Sequence, residues 1–239
     1  MKYALVTGGS GGIGAAICQR LANAGHFVYV HANKNREKAQ IIVDSIQQTG
    51  GQAQALEFDV TDYQATANAL AELGEEHTIQ IIVNNAGIHD DAPMAGMSQE
   101  QWQRVIDVSL HGFFNVTQPL LLPMMRTRWG RIISLSSVAG VMGNRGQANY
   151  AAAKSGLHGA SKSLAIELAS RGVTVNCVAP GIITSAMTEG VFDKNLIKSL
   201  VPMQRAGTAD EVAALVGFLA SDDAGYISGQ VININGAMA

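Results

Sequence analysis

Apolar residues along this chain follow two rhythms that take turns. Short runs dense in valine, isoleucine and leucine stand at Tyr3–Val6, Phe27–Val30, Ala55–Phe58, Ile79–Val83, Arg131–Leu135, Thr174–Val178 and Val231–Ile234. Runs of this length without polar alternation predict strands covered on both faces. Between most of them the spacing turns helical, over Gly12–Ala24, Arg36–Thr49, Tyr63–Leu73, Gln99–Met125, Asn149–Ser170 and Ala209–Ala220. In the first of these, Ile17, Leu21 and Ala24 share one side. Strand–helix alternation predicts an α/β fold, a single doubly wound parallel sheet with right-handed crossovers and helices on both faces. Ligands in such sheets bind beyond the carboxyl ends of the strands.

The alternation runs to the last residues with no linker, repeat or charge block, so the 239 residues are expected to form one domain, 1–239. The net charge of −3 and the dispersed basic residues predict no nucleic-acid partner. Arg126, Arg128 and Arg131 form the one local basic cluster. Cys18 and Cys177 lie in apolar stretches and are expected to be buried, reduced thiols. His77, His89, His111 and His158 stand apart without ligand spacing, so no metal site is expected. No secretory segment precedes the first strand and no apolar run reaches about 18 residues, which predicts a soluble, cytoplasmic protein without a membrane partner.

Two segments carry candidate chemistry. Thr7-Gly8-Gly9-Ser10-Gly11-Gly12-Ile13-Gly14 joins the first strand to the first helix. A glycine-rich turn there lets backbone N–H groups and the helix dipole meet a pyrophosphate without Cβ obstruction, the arrangement of Rossmann-type folds. Tyr150 and Lys154 lie four residues apart, on one face of a helix. An ammonium about 4 Å from a phenol favours the phenolate by on the order of 4 kcal/mol before screening. That attraction is expected to lower the tyrosine pKa toward the range of efficient general acid catalysis. The alternative is a packed tyrosine beside a surface lysine.

With these segments, the chain resembles the short-chain dehydrogenase/reductase family over essentially its whole length. The matches are Thr7-Gly8-x-x-x-Gly12-Ile13-Gly14, Asn84-Asn85-Ala86-Gly87, Ser137 with Tyr150-x-x-x-Lys154, and Pro180-Gly181. Within the family, Gly143–Lys154 and Ile227-Ser228-Gly229-Gln230 are most similar to 3-oxoacyl-[acyl-carrier-protein] reductases. The resemblance implies that Tyr150 gives a proton to the carbonyl oxygen of a substrate that accepts hydride from a nicotinamide. Lys154 would hold the nicotinamide ribose and tune the tyrosine. Ser137 would donate to the developing alkoxide. Ser136 is the neighbouring candidate, and successive residues of an extended segment point opposite ways. The family usually has a relay asparagine in the long central helix; Ser109 stands there, a shorter donor and acceptor. Ser109 either supports the relay or marks a protein that binds dinucleotide without efficient turnover.

The resemblance further implies cofactor contacts at Gly8, Ser10, Gly11, Gly12, Ile13, Gly14, Asn33, Lys34, Asp59, Val60, Asn85, Ala86, Gly87, Tyr150, Lys154, Pro180, Gly181, Ile183 and Ser185. The second strand ends in Val30-His31-Ala32-Asn33-Lys34-Asn35-Arg36 with no acid to repel a 2′-phosphate, which favours NADPH, with NADH as the alternative. Gly11 stands where many NADPH-using relatives carry an arginine. Asp59 is expected either to meet the adenine or to cap the next helix. Residues 186–201, with Met187, Val191, Phe192, Leu196 and Leu200, are expected to form a substrate lid beside Met142. Arg128 and Arg171 stand near positions that face an acidic acyl carrier protein in such reductases. The substrate is thus expected to be a 3-oxoacyl thioester of fatty-acid or polyketide type, or else another small ketone. Apolar residues Phe113, Phe114, Leu157 and Leu164 are expected to support self-association, commonly a tetramer in this family.

Overall fold

The computed structural model describes residues 1–184 and 194–239, and only the backbone of Glu75, Glu76 and Lys194. Ser185, Met187, Val191 and Phe192, and with them most of the expected lid, lie outside the described residues. The described chain is organised by one parallel sheet in the order β3-β2-β1-β4-β5-β6-β7. Its strands are β1 (Tyr3–Val6), β2 (Phe27–Ala32), β3 (Gln52–Glu57), β4 (Ile79–Asn84), β5 (Gly130–Leu135), β6 (Val173–Pro180) and β7 (Val231–Ile234). The helices before β5 are α1 (Gly12–Asn23), α2 (Arg36–Gln48), α3 (Tyr63–Glu76), α4 (Gln99–Ile106) and α5 (Gly112–Thr127). After it come α6 (Val138–Met142), α7 (Ala148–Leu168), α8 (Lys194–Leu200) and α9 (Ala209–Leu219).

The period of two along each strand sorts side chains into two cores. Ala4 and Val6 of β1 join Val28, Val30, Ile81 and Val83 in a core closed by Ile17 of α1, Val43 of α2 and Val216 of α9. Leu5, Tyr29 and Ile82 point the other way, into a core closed by Leu70 of α3, Leu120 of α5 and Ala165 of α7. Every residue of β5 and β6 is buried, as expected for strands covered on both faces. The chain steps outward from β1 to β3, then returns to β4 on the other side. That reversal leaves the β1 and β4 carboxyl ends adjacent, so the glycine turn and Asn84–Gly87 meet there.

Three elements depart from the sequence pattern. The third strand is Gln52–Glu57 rather than Ala55–Phe58, because β3 is an edge: Ala53 and Ala55 face the core while Gln52 and Gln54 face solvent. Phe58 leaves the strand and packs its ring 4.1 Å from that of His31. β2 runs two residues past Val30 and carries the polar His31 into the interior, 1% exposed. The helix expected over Gln99–Met125 is α4 and α5 joined by a π turn, Asp107–His111, which widens the backbone at Ser109. Among the described residues, no helix is long and apolar enough to cross a membrane.

Candidate active site

The glycine turn is shaped from three sides. Gly8 takes a left-handed conformation, φ 63°, and its N–H donates to His31 Nδ1 at 3.1 Å. From β4, Asn85 Nδ2 donates to the carbonyls of Thr7 (2.9 Å) and Gly8 (3.1 Å), and the N–H groups of Asn85 and Ala86 both donate to Thr7 Oγ1 at 3.0 Å. Gly14 allows helix and strand to approach closely: a Cβ there would run into the Gly8 carbonyl oxygen. Gly11 and Gly12, by contrast, face open space. Gly11 caps α1 without a side-chain bond, and the first turn of α1 holds no acid. The orphan N–H groups of α1 are therefore left uncrowded, which fits a dinucleotide pyrophosphate.

Beyond β5 the two serines separate as an extended backbone requires. Ser136 Oγ turns inward, donating to the Lys154 carbonyl at 3.1 Å and lying 2.6 Å from His158 Nε2. Ser137 accepts from Ala139 N–H at 3.2 Å as the cap of α6 and stands near enough to the Tyr150 phenol to lower its pKa. Tyr150 and Lys154 project from the first turns of α7. Asn149, fully buried, anchors that end by donating to the carbonyls of Asp90 (2.9 Å) and Gln101 (3.1 Å). Lys154 Nζ lies 5.6 Å from the Tyr150 ring centroid and donates to the Leu135 carbonyl at 2.8 Å.

Burial, not the lysine, dominates the tyrosine. It raises the Tyr150 pKa above its ordinary value; the Ser137 hydroxyl lowers it and Asp91 raises it further. The depression expected beside Lys154 is corrected on this point, because desolvation of the buried phenol outweighs the influences that lower its pKa. Lys154 is itself pushed down to about 8 by burial. A Cβ at Gly87 would lie 3.0 Å from Lys154 Nζ and 3.8 Å from Ser109 Oγ, so the two polar groups flank one point above Gly87. Ser109 is 4% exposed, and its hydroxyl has no hydrogen-bond partner among the described residues.

Past the carboxyl end of β2, Asn33 and Lys34 are exposed and follow the strand directly. Asn35 caps α2 by accepting from Lys38 N–H at 3.0 Å. β2 ends without an acid, but β3 supplies one: Glu57 Oε2 accepts from the Arg36 N–H at 2.9 Å. Asp59 Oδ1 accepts from Thr61 N–H (2.9 Å) and Thr61 Oγ1 (2.8 Å). It does not cap α3, since Asp62 does so by accepting from Ala65 N–H. Val60 is buried and its carbonyl accepts from Asn115 at 2.8 Å. Pro180 ends β6, the Gly181 N–H donates to Ile234 at 3.0 Å, and Ile183 is buried and bridges to Gly207.

The basic residues separate into different settings. Arg131 is 3% exposed, stacks on Trp129 with 4.3 Å to the ring centroid, and donates to the Ser221 carbonyl at 3.0 Å. Arg128 Nη2 donates to the carbonyl of Ser170, the residue before Arg171, at 3.2 Å. Arg128 and Arg171 stand at the amino ends of β5 and β6, whereas Ser137 and Tyr150 lie beyond the carboxyl ends. Of the residues expected to support self-association, Leu157 is spent on the chain's own interior, 1% exposed, while Phe114 is 54% exposed. Cys18 and Cys177 are buried and free. The sequence pattern did not single out His31 or Asn149; a polar residue closing an apolar run was the available signal for the first.

Comparison with known proteins agrees with this geometry. A family model described as short chain dehydrogenase matches residues 2–196. The chain is 43% identical over 237 residues to 3-oxoacyl-[acyl-carrier-protein] reductase FabG of Aggregatibacter actinomycetemcomitans, covering 98% of each chain. It is 44% identical to the protein of the same description from Staphylococcus aureus (strain Mu50), over 99% of this chain and 98% of that one. It is 43% identical to nodulation protein G of Azospirillum brasilense, with the same coverage.

Proposed function

Because the chain belongs to the short chain dehydrogenase family, and so is an oxidoreductase, we propose that it reduces a 3-oxoacyl thioester, carried on acyl carrier protein, to the 3-hydroxyacyl form with NADPH. The observation that carries this reading is the convergence of the Ser137 and Tyr150 hydroxyls beside buried Lys154, at the carboxyl end of β5 and next to the open glycine turn. The reductases that this chain is similar to supply the substrate class.

Bound NADPH supplies the hydride. The turn from Gly8 to Gly14 and the amino end of α1 hold its pyrophosphate, and Asn33 and Lys34 offer donors to its 2′-phosphate. Asp59 would meet the adenine, Val60, Asn85, Ala86 and Gly87 would line the path toward the nicotinamide end, and Pro180, Gly181 and Ile183 would close it; Ser185, a further expected contact, lies outside the described residues. Tyr150 donates its phenolic proton to the carbonyl oxygen. Like any phenol, Tyr150 carries its proton at neutral pH and can act as an acid. Ser137 donates to the same oxygen as negative charge develops, an interaction that strengthens in the transition state. Lys154 binds the nicotinamide ribose, and Ser109 stands at the route by which a proton returns to the lysine.

The test follows the absorbance of the reduced nicotinamide with a 3-oxoacyl thioester on acyl carrier protein and on a small thiol. Wild type is expected to turn over both, faster on the carrier. Tyr150→Phe is expected to lose on the order of 10²-fold or more in kcat while still binding NADPH. Turnover that survives in Tyr150→Phe would remove Tyr150 from the mechanism. Tight NADPH binding with no reduction of either thioester would redirect the reading to another ketone.

A further inference from the structure

We propose that His31 is a positioning residue for the cofactor turn, its imidazole fixing the Gly8 N–H so that the turn holds a pyrophosphate-receiving shape before any ligand arrives. The inference rests on the dinucleotide site proposed above. His31 lies at the end of β2, 1% exposed, and both ring nitrogens are engaged across strand boundaries. Nδ1 accepts from the Gly8 N–H at 3.1 Å, and Nε2 lies 2.8 Å from the Phe58 carbonyl. An amide N–H can only donate and a carbonyl can only accept, so the two bonds require one state: neutral imidazole with its proton on Nε2.

The ring thereby ties the end of β1 to the end of β3, through β2 between them. Phe58 packs against it with ring centroids 4.1 Å apart, which fixes the ring's plane. Gly8 is the residue whose left-handed φ of 63° starts the glycine turn. Its carbonyl is already held by Asn85 from the opposite side, at 3.1 Å. His31 and Asn85 thus grip the two polar ends of this residue from β2 and β4. A turn held in place before binding loses less entropy on binding than one that must be ordered.

Two substitutions separate the bonds. His31→Asn places an amide oxygen near the Nδ1 position, where it can still accept from Gly8, but cannot reach Phe58. His31→Gln carries its amide toward the Nε2 position, where it can serve Phe58 but leaves the Gly8 N–H without its acceptor. Kd for NADPH and NADH by calorimetry, and amide exchange at Gly8 in the ligand-free chain, are the readouts. His31→Asn is expected to bind within about threefold of wild type, and His31→Gln about tenfold more weakly, with faster exchange at Gly8. Equal affinities in the two variants, or unchanged Gly8 exchange in His31→Gln, would overturn the proposal. If wild type binds neither dinucleotide, the functional reading itself fails, and this inference with it.

Discussion

The ammonium of Lys154 is 3% exposed and keeps one strong hydrogen bond, to the Leu135 carbonyl at 2.8 Å. Burial holds its pKa at about 8 against an ordinary 10.5. Between those values the unfolded chain binds more protons than the folded one, so stability from this group rises with pH. Below about pH 8 the cost of burying the charge is fully present, on the order of 3 kcal/mol. Lys154→Met removes that cost and also the bond to Leu135, worth roughly 1–2 kcal/mol. The variant is expected to be inactive yet about 1–2 kcal/mol more stable than wild type at neutral pH, with the gain shrinking toward pH 10.5. Urea unfolding at the two pH values checks this; a gain that grew with pH would have the wrong sign. Ser109 shows a similar division between stability and function. Its hydroxyl has no partner to lose among the described residues, so Ser109→Ala is expected to leave Tm unchanged or slightly raised. If the hydroxyl carries the proton return, kcat falls severalfold at constant NADPH affinity. An unchanged kcat would take Ser109 out of the mechanism.

The junction of β1 and α1 shows how one glycine-rich element divides its labour. Gly14 is where the helix meets the strand, and a Cβ there runs into the Gly8 carbonyl and comes within 2.7 Å of Asn85 Nδ2. Gly14→Ala is expected to cost about 1–3 kcal/mol by overpacking, read as a lowered urea midpoint. Gly11 has an extended backbone, φ −150°, and nothing near its Cβ direction. Gly11→Ala is therefore expected to stay within about 0.5 kcal/mol of wild type in stability. It stands in the proposed pyrophosphate turn, so NADPH affinity is expected to drop all the same. Equal behaviour of the two variants would mean the turn does not face a ligand. This element was legible in the sequence because glycine spacing reports backbone constraints directly. Tyr150 and Lys154 were legible for a related reason, since four residues on a helix fix a shared face. β3 was not, because an edge strand built from alanine and glutamine lacks the Val/Ile density that marks its buried neighbours. The π turn at Ser109 was hidden too: apolar spacing runs smoothly through α4 and α5, and the widening shows only in the backbone. The Tyr150 shift runs opposite to the expectation because spacing places a lysine near a phenol but does not report how deeply the phenol is buried.

The whole molecule constrains how a carrier-bound substrate can be delivered. Arg128 and Arg171 stand at the amino ends of β5 and β6, while Ser137 and Tyr150 lie past the carboxyl ends. The six residues of β5 alone separate the two ends by about 20 Å. A carrier docked on these arginines must send its acyl group around the sheet or into the site of a second copy of the chain. The second path needs self-association, for which exposed Phe114, Leu122 and Ile166 on α5 and α7 offer apolar surface. Charge reversal at both positions, Arg128→Glu with Arg171→Glu, is expected to lower kcat/KM for the carrier-bound thioester by about tenfold or more. The same change should leave the small-thiol thioester within about twofold, because the chemistry lies at the other end of the sheet. Mixing then decides the path. If delivery is between chains, the doubly reversed variant still has a working Tyr150, and Tyr150→Phe still has working arginines. Co-expressed, the two are expected to recover carrier-dependent activity that neither has alone. No recovery, with mixed oligomers demonstrated, would place docking and chemistry on the same chain; no effect of the reversals would take the arginines out of carrier recognition altogether.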